Sequence, residues 1–294
     1  MINSFNRPFN RIRNEIIYGG HIISLDSPAF LLTIIILQDL PINIMGLIIA
    51  YLITLIVYSY NYQSELDTDI LSDPQRVDFL GKRKKIYPIL LCMDITLLII
   101  LSLMLFNYGF FIFALIILAG GILYTIVFKV LTRYIPIFKS IYSTAIWAYS
   151  GAFFWLFFYS LQLSYFYFFM LIFIFMRMFV NIAFFDIKDI DSDKEENLKT
   201  LPIIFGKKNA IKVLNAINLL SIILLIIFIY LNIIPFYAIS LSLFFLYEYY
   251  YLKKSENADK KSLLTNTYVI ADAEFIFWPI ILILSKIIYL RFLI

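Results

Sequence analysis

Nine apolar runs, most of them close to the length that crosses a bilayer, follow one another along the chain. They fall at about residues 22–37, 41–60, 86–106, 109–128, 140–160, 165–185, 211–231, 233–252 and 267–290, and about 20 apolar residues suffice for a helical span. Inside lipid a backbone must satisfy its own hydrogen bonds, so helices are required and strands are excluded. Hydrophobic residues make up 62% of the 294 positions, against about 45–50% in soluble domains. The pattern predicts an all-α polytopic membrane protein, with about nine transmembrane helices bundled around a central cavity. No polar or Gly/Ser-rich linker interrupts the series, so residues 1–294 read as a single membrane-embedded domain.

The connections alternate in kind. Those near residues 38–41, 107–109, 161–164 and 232–235 are short and lack Lys and Arg. Arg7, Arg11 and Arg13 precede the first run, and the remaining basic residues cluster in the other, longer connections, with only Arg177, Lys286 and Arg291 outside the pattern. The positive-inside rule then places residues 1–20, a juxtamembrane segment, and every basic connection in the cytoplasm. Nine spans send the C-terminus to the outside of the cell membrane. The net charge of +4 is modest and gives nucleic-acid binding no support, and His21, the only histidine, excludes a His-rich metal site. Cys92 is the only cysteine and lies in an apolar run, which predicts packing in the core rather than redox chemistry.

Two acidic clusters stand directly after apolar runs, at mouths of the helices on the same side. Asn61, Glu65 and Asp69 are spaced i, i+4, i+8, and Asp186, Asp189 and Asp193 are spaced i, i+3, i+7. Each set occupies one face if its helix continues. Such carboxylates repel one another unless a cation sits among them, and hard divalent ions take oxygen ligands and share them with phosphate. The helices carrying the clusters are the second and the sixth, and a proline and basic residues follow each cluster, which suggests two repeats of a four-helix-like unit.

The pattern Asn-x3-Asp/Glu-x3-Asp with Asp-x2-Asp-x3-Asp, the second leading to Thr200-Leu201-Pro202 and Gly206, resembles the UbiA superfamily of intramembrane prenyltransferases. The resemblance implies Mg²⁺ as cofactor, as two ions bridging to diphosphate, with Glu65, Asp69, Asp186, Asp189 and Asp193 as metal ligands and Asn61 beside them. It implies a prenyl diphosphate donor, a lipophilic acceptor (an aromatic quinone precursor or a glycerol-phosphate-type lipid) and no obligate protein partner. Glu65 replaces the commoner Asp, and Tyr62 replaces an acidic residue found in many members.

Basic side chains are expected around the leaving diphosphate. Arg76, Lys139, Arg133 and Lys199 are the candidates, and the competing role for each is a headgroup anchor. Arg177, far inside a helix, contacts substrate or pairs with Asp94 within the bundle, and Asn181 shares its face. Tyr124 is the aromatic candidate for the cavity wall. Asn197 tolerates a left-handed turn, which lets residues 194–206 fold back over the site as a lid; the competing reading is an ordinary surface loop. Two alternatives compete. A CDP-alcohol phosphotransferase carries an Asp-Gly dipeptide, which this chain lacks. A cation-binding transporter usually places its ionisable site near the bilayer midplane, whereas these clusters lie at helix mouths.

Overall fold

The computed structural model describes residues 12–293; Arg7 and Arg11 of the expected juxtamembrane segment lie outside them. A short helix α1 (residues 12–18) leads into α2 (His21–Gln38), α3 (Ile44–Ser64), α4 (Pro74–Gly81), α5 (Tyr87–Met104), α6 (Tyr108–Ile126) and α7 (Phe138–Phe158). There follow α8 (Tyr165–Lys188), α9 (Ile190–Glu195), α10 (Leu201–Phe205), α11 (Lys207–Tyr230), α12 (Leu243–Ser255), α13 (Lys260–Thr265) and α14 (Asp272–Leu293). No strand occurs among the described residues.

Among the described residues, eight helices are long and apolar enough to cross a membrane. The eighth run, expected at 233–252, is instead a 3₁₀ turn at Phe236–Ser242 continued by α12. The first run holds together despite Pro28 and the buried Asp26, because both lie within the unbroken α2.

Helix packing relies on close approach. Ala148 and Ala152 of α7 are completely buried, and a Cβ on Gly151 would meet Ile174 of α8 at 3.0 Å. Small residues of this kind let helix backbones come together where lipid supplies no hydrophobic drive. At the end of the bundle away from the acidic clusters, Trp155 donates to Leu31 O at 2.8 Å and Tyr159 to Pro41 O at 2.8 Å, tying α7 to α2 and to the turn after it. In the centre, Phe30, Phe173, Phe275 and Trp278 pack tilted or edge to face. Cys92 corrects the sequence expectation: it is exposed on α5, a peripheral helix with few buried side chains, rather than packed in the core.

Candidate active site

Neither acidic cluster lies on a straight helix. The first leaves α3 at Ser64, yet the backbone keeps its pitch: Glu65 N donates to Asn61 O at 3.0 Å, Asp69 N to Glu65 O at 2.9 Å and Asp73 N to Asp69 O at 2.8 Å. This ladder of i to i+4 bonds holds the spacing that a continuous helix would give. Asp73 then caps α4, accepting from Arg76 N at 3.1 Å, with Pro74 in the first turn. In the second cluster α8 ends at Lys188, the chain bends at Asp189, and α9 carries Asp193, whose N–H bonds Asp189 O at 2.8 Å.

Both clusters open on one cavity of about 850 Å³, its mouth included. Asn61, Glu65, Asp69, Arg76, Tyr124, Lys139, Asp186, Asp189 and Asp193 all line it. Lys129, Lys188, Glu196, Asn181 and Asp272 line it too.

Every acidic group of the two clusters stands against a basic one. Lys139 Nζ lies 3.0 Å from Asp186 Oδ1 and 3.2 Å from Asp193 Oδ1, and Ser140 Oγ donates to the other oxygen of Asp186 at 2.6 Å. Arg76 meets Asp69 at 2.6 Å, with its guanidinium 4.4 Å from the Tyr62 ring centroid. Lys188 meets Asp189 at 2.6 Å. Lys129 joins the halves of the site, 2.7 Å from Glu65 and 2.9 Å from Glu196 just after the second cluster. Asn61 donates to Thr125 Oγ1 at 3.1 Å.

Burial and these neighbours set the proton affinities. Burial pushes Asp193 up to about 7, with Lys139 pulling the other way and Asp186 and Asp189 adding to the rise. Burial likewise raises Asp69, with Arg76 opposing. Asp189 also pays for burial, but Lys188, Lys139 and Arg76 together outweigh it and hold this carboxyl below the usual range. Lys129 is raised: burial would lower it, and Glu65 and Glu196 more than offset that.

Three expected residues lie elsewhere. Arg133 is at the rim, donating from Nε to Glu196 O at 2.9 Å, and does not line the cavity. Lys199 lies off the cavity wall with an exposed side chain, and its backbone straps residues 194–206 to the connection between α6 and α7 through Lys199 N to Thr132 O at 3.0 Å and Ile137 N to Lys199 O at 2.8 Å. The fold-back segment is therefore anchored at its middle, and Asn197 takes the left-handed conformation expected of it, with φ 57°. Arg177 is buried among Glu274 at 2.5 Å, Glu248 at 3.1 Å and Asn218 at 2.7 Å. Asp94 is not its partner, because the acids that reach it come from α12 and α14.

Sequence spacing passed over Lys129, Lys188, Glu196 and Asp272 as cavity residues. Lys188 and Glu196 were visible as neighbours of the second cluster. Lys129 and Asp272 become site residues only through the tertiary fold.

The metal-ligating groups on the wall are oxygens, with no histidine or cysteine among the lining residues, and the buried Oδ2 of Asp193 has no hydrogen-bond partner. That donor set fits a hard divalent cation. Among the described residues no three acids, histidines or cysteines form a ready-made cage, because lysines and an arginine stand between the carboxylates.

The model of the UbiA prenyltransferase family matches residues 27–270. The chain belongs to the UbiA prenyltransferase family. Its structure is similar to a UbiA homolog from Archaeoglobus fulgidus bound to GPP and Mg²⁺, with a TM-score of 0.64, 16% identity, and coverage of 92% of this chain and 99% of that one. An apo UbiA homolog from Aeropyrum pernix K1 matches with a TM-score of 0.64 and 14% identity, over 92% and 98% of the two chains. A digeranylgeranylglyceryl phosphate synthase matches with a TM-score of 0.58 and 15% identity, over 95% and 98%. No curated protein matches the chain by sequence. At these identities the likeness is one of fold, and it covers almost the whole chain.

Proposed function

We propose that this UbiA family member transfers an isoprenyl chain from a prenyl diphosphate to a lipophilic acceptor within the bilayer, releasing diphosphate on the cytoplasmic side. The observation that carries the reading is the convergence of Glu65 and Asp69 with Asp186, Asp189 and Asp193 on a single cavity, with Arg76, Lys129, Lys139 and Lys188 among them. A wall of interleaved acids and bases suits a dianionic or trianionic diphosphate accompanied by divalent cations. The binding of GPP and Mg²⁺ by the Archaeoglobus fulgidus homolog supports the same pairing.

Glu65, Asp69, Asp186, Asp189 and Asp193 would hold Mg²⁺, two ions in this reading, and the metal supplies neutralisation of the charge that gathers on the leaving diphosphate. The chain's own cations do related work. Arg76 is suited to gripping two phosphate oxygens at once, while Lys129 and Lys139 act as point charges. Ser140 and Lys139 orient Asp186 before any ligand arrives. The rings of Tyr58, Tyr62, Tyr124 and Phe185 on the wall exclude water from the reacting carbon, and aromatic side chains are the groups suited to shelter allylic positive charge.

The test is incubation of the purified protein with labelled prenyl diphosphates and Mg²⁺ in the presence of a lipid panel, followed by mass spectrometry. A Mg²⁺-dependent prenylated lipid with equimolar diphosphate supports the function. Transfer of label from a nucleotide diphospho-lipid, with none from any prenyl diphosphate, contradicts it.

A further inference from the structure

We propose that Glu196 is a further ligand of the divalent-cation site, paired with Glu65 across the cavity, and that Lys129 holds the place of the ion between them until it binds. The proposal rests on the prenyl-transfer reading, because it adds a residue to the metal site which that reading requires.

Glu196 lies outside both acidic clusters. It caps the C-terminus of α9, three residues after Asp193, and side chains at that spacing on a helical turn share a face. Both line the cavity. The neighbouring Glu195 is exposed and does not. Backbone contacts fix Glu196 in place. Its N–H donates to Ser192 O at 3.0 Å, its carbonyl accepts from Arg133 Nε at 2.9 Å, and Leu198 N closes the turn on Asp193 O at 2.8 Å. The side chain of Leu198 is buried and anchors that turn.

Lys129 Nζ stands between Glu65 Oε1 at 2.7 Å and Glu196 Oε1 at 2.9 Å. Lys139 Nζ stands in the same way between Asp186 Oδ1 at 3.0 Å and Asp193 Oδ1 at 3.2 Å. Each ammonium sets one positive charge between two carboxylates, so each group is one charge short when both acids are ionised. The wall as a whole repeats the imbalance, with seven carboxylates against four cations among its lining residues. A divalent ion in place of an ammonium brings the second charge, and its shell accepts carboxylate oxygens. Asp186 and Asp193 already stand among the ligands of the functional reading. Glu65 with Glu196 repeats their arrangement across the cavity, so two ammonium-bridged pairs match two ions.

A second observation points the same way. The Oδ2 of Asp193, three residues before Glu196, is buried and has no hydrogen-bond partner, an acceptor that the lysines leave unused and that a ligand would satisfy. On binding of the ion, Lys129 gives up its place between the two glutamates and its ammonium becomes free to face the diphosphate.

The experiment titrates full-length protein in detergent micelles with Mn²⁺ alone and reads the bound ion by electron paramagnetic resonance, independently of turnover. E196Q is expected to bind Mn²⁺ roughly 10- to 100-fold more weakly than wild type, the range by which even a supporting partner of a metal ligand changes affinity. E195Q is expected to bind as wild type does. K129M removes the competing ammonium and is expected to bind more tightly, and adding E196Q to it is expected to cost about tenfold or more. The double variant removes both partners of the ion pair and leaves neither charge stranded, so the comparison with K129M holds even where E196Q alone folds poorly. Wild-type affinity in E196Q, or K129M/E196Q binding as tightly as K129M, overturns the proposal; the latter is the behaviour of a glutamate that serves only as counter-ion to Lys129. Wild-type protein that binds no Mn²⁺ instead overturns the metal-dependent function on which the proposal rests.

Discussion

Lys129 is the residue on which the two halves of the cavity meet, since one ammonium faces Glu65 on one side and Glu196 on the other. A charge-assisted hydrogen bond is worth about 1.5–3 kcal/mol, so K129A should weaken diphosphate binding roughly tenfold or more while leaving the protein folded. Isothermal titration with geranyl diphosphate measures it, and unchanged affinity would remove Lys129 from the donor site. Asp193 gives a second residue-level expectation. Its pKa of about 7 is raised above the ordinary carboxylate value, so the folded, metal-free protein binds a proton that the unfolded chain releases near pH 4. Stability therefore gains as pH falls from about 8 toward 5, by at most about 1.4 kcal/mol per unit. D193N should flatten that portion of the melting curve against pH, and a wild-type curve already flat there would contradict the assignment.

Among the elements, the segment from α9 to α10 shows how local chemistry shapes the site. Asn197 sits at φ 57°, a conformation that costs most L-residues about 1–2 kcal/mol and Gly nothing. N197A is expected to destabilise by about that amount and N197G to be neutral or stabilising, as read by thermal unfolding in detergent; equal effects would show that the turn does not govern stability. This turn was legible in the sequence because asparagine has a local reason to adopt it. The apolar runs were legible for an equally local reason, the bilayer's demand for self-satisfied backbone. The break at Asp189 was not, since nothing at that position distinguishes a bent helix end from a continuing one. Nor were the partners of Arg177: Glu248 and Glu274 lie 71 and 97 residues away, and only the packing of α8 against α11, α12 and α14 selects them over Asp94. The 3₁₀ entry to α12 likewise depends on packing, not on composition.

At the scale of the whole molecule, the charge pattern and the cavity make one claim about orientation. The bundle places both acidic clusters and the basic connections at the same end, so the cavity mouth is expected to face the cytoplasm. A cysteine introduced at Lys199 in a C92S background should resist membrane-impermeant maleimide in intact cells and react after lysis, whereas one at Gln162 should react in both; the reverse pattern would invert the topology. The central claim is that residues from two distant parts of the chain act on one diphosphate. Its most direct measurement is equilibrium binding of geranyl diphosphate, with and without Mg²⁺, to wild type and to the E65Q/D69N and D189N/D193N variants. The account predicts Mg²⁺-dependent binding in wild type that is lost in both variants alike. Binding that survives intact when either cluster is neutralised would contradict it.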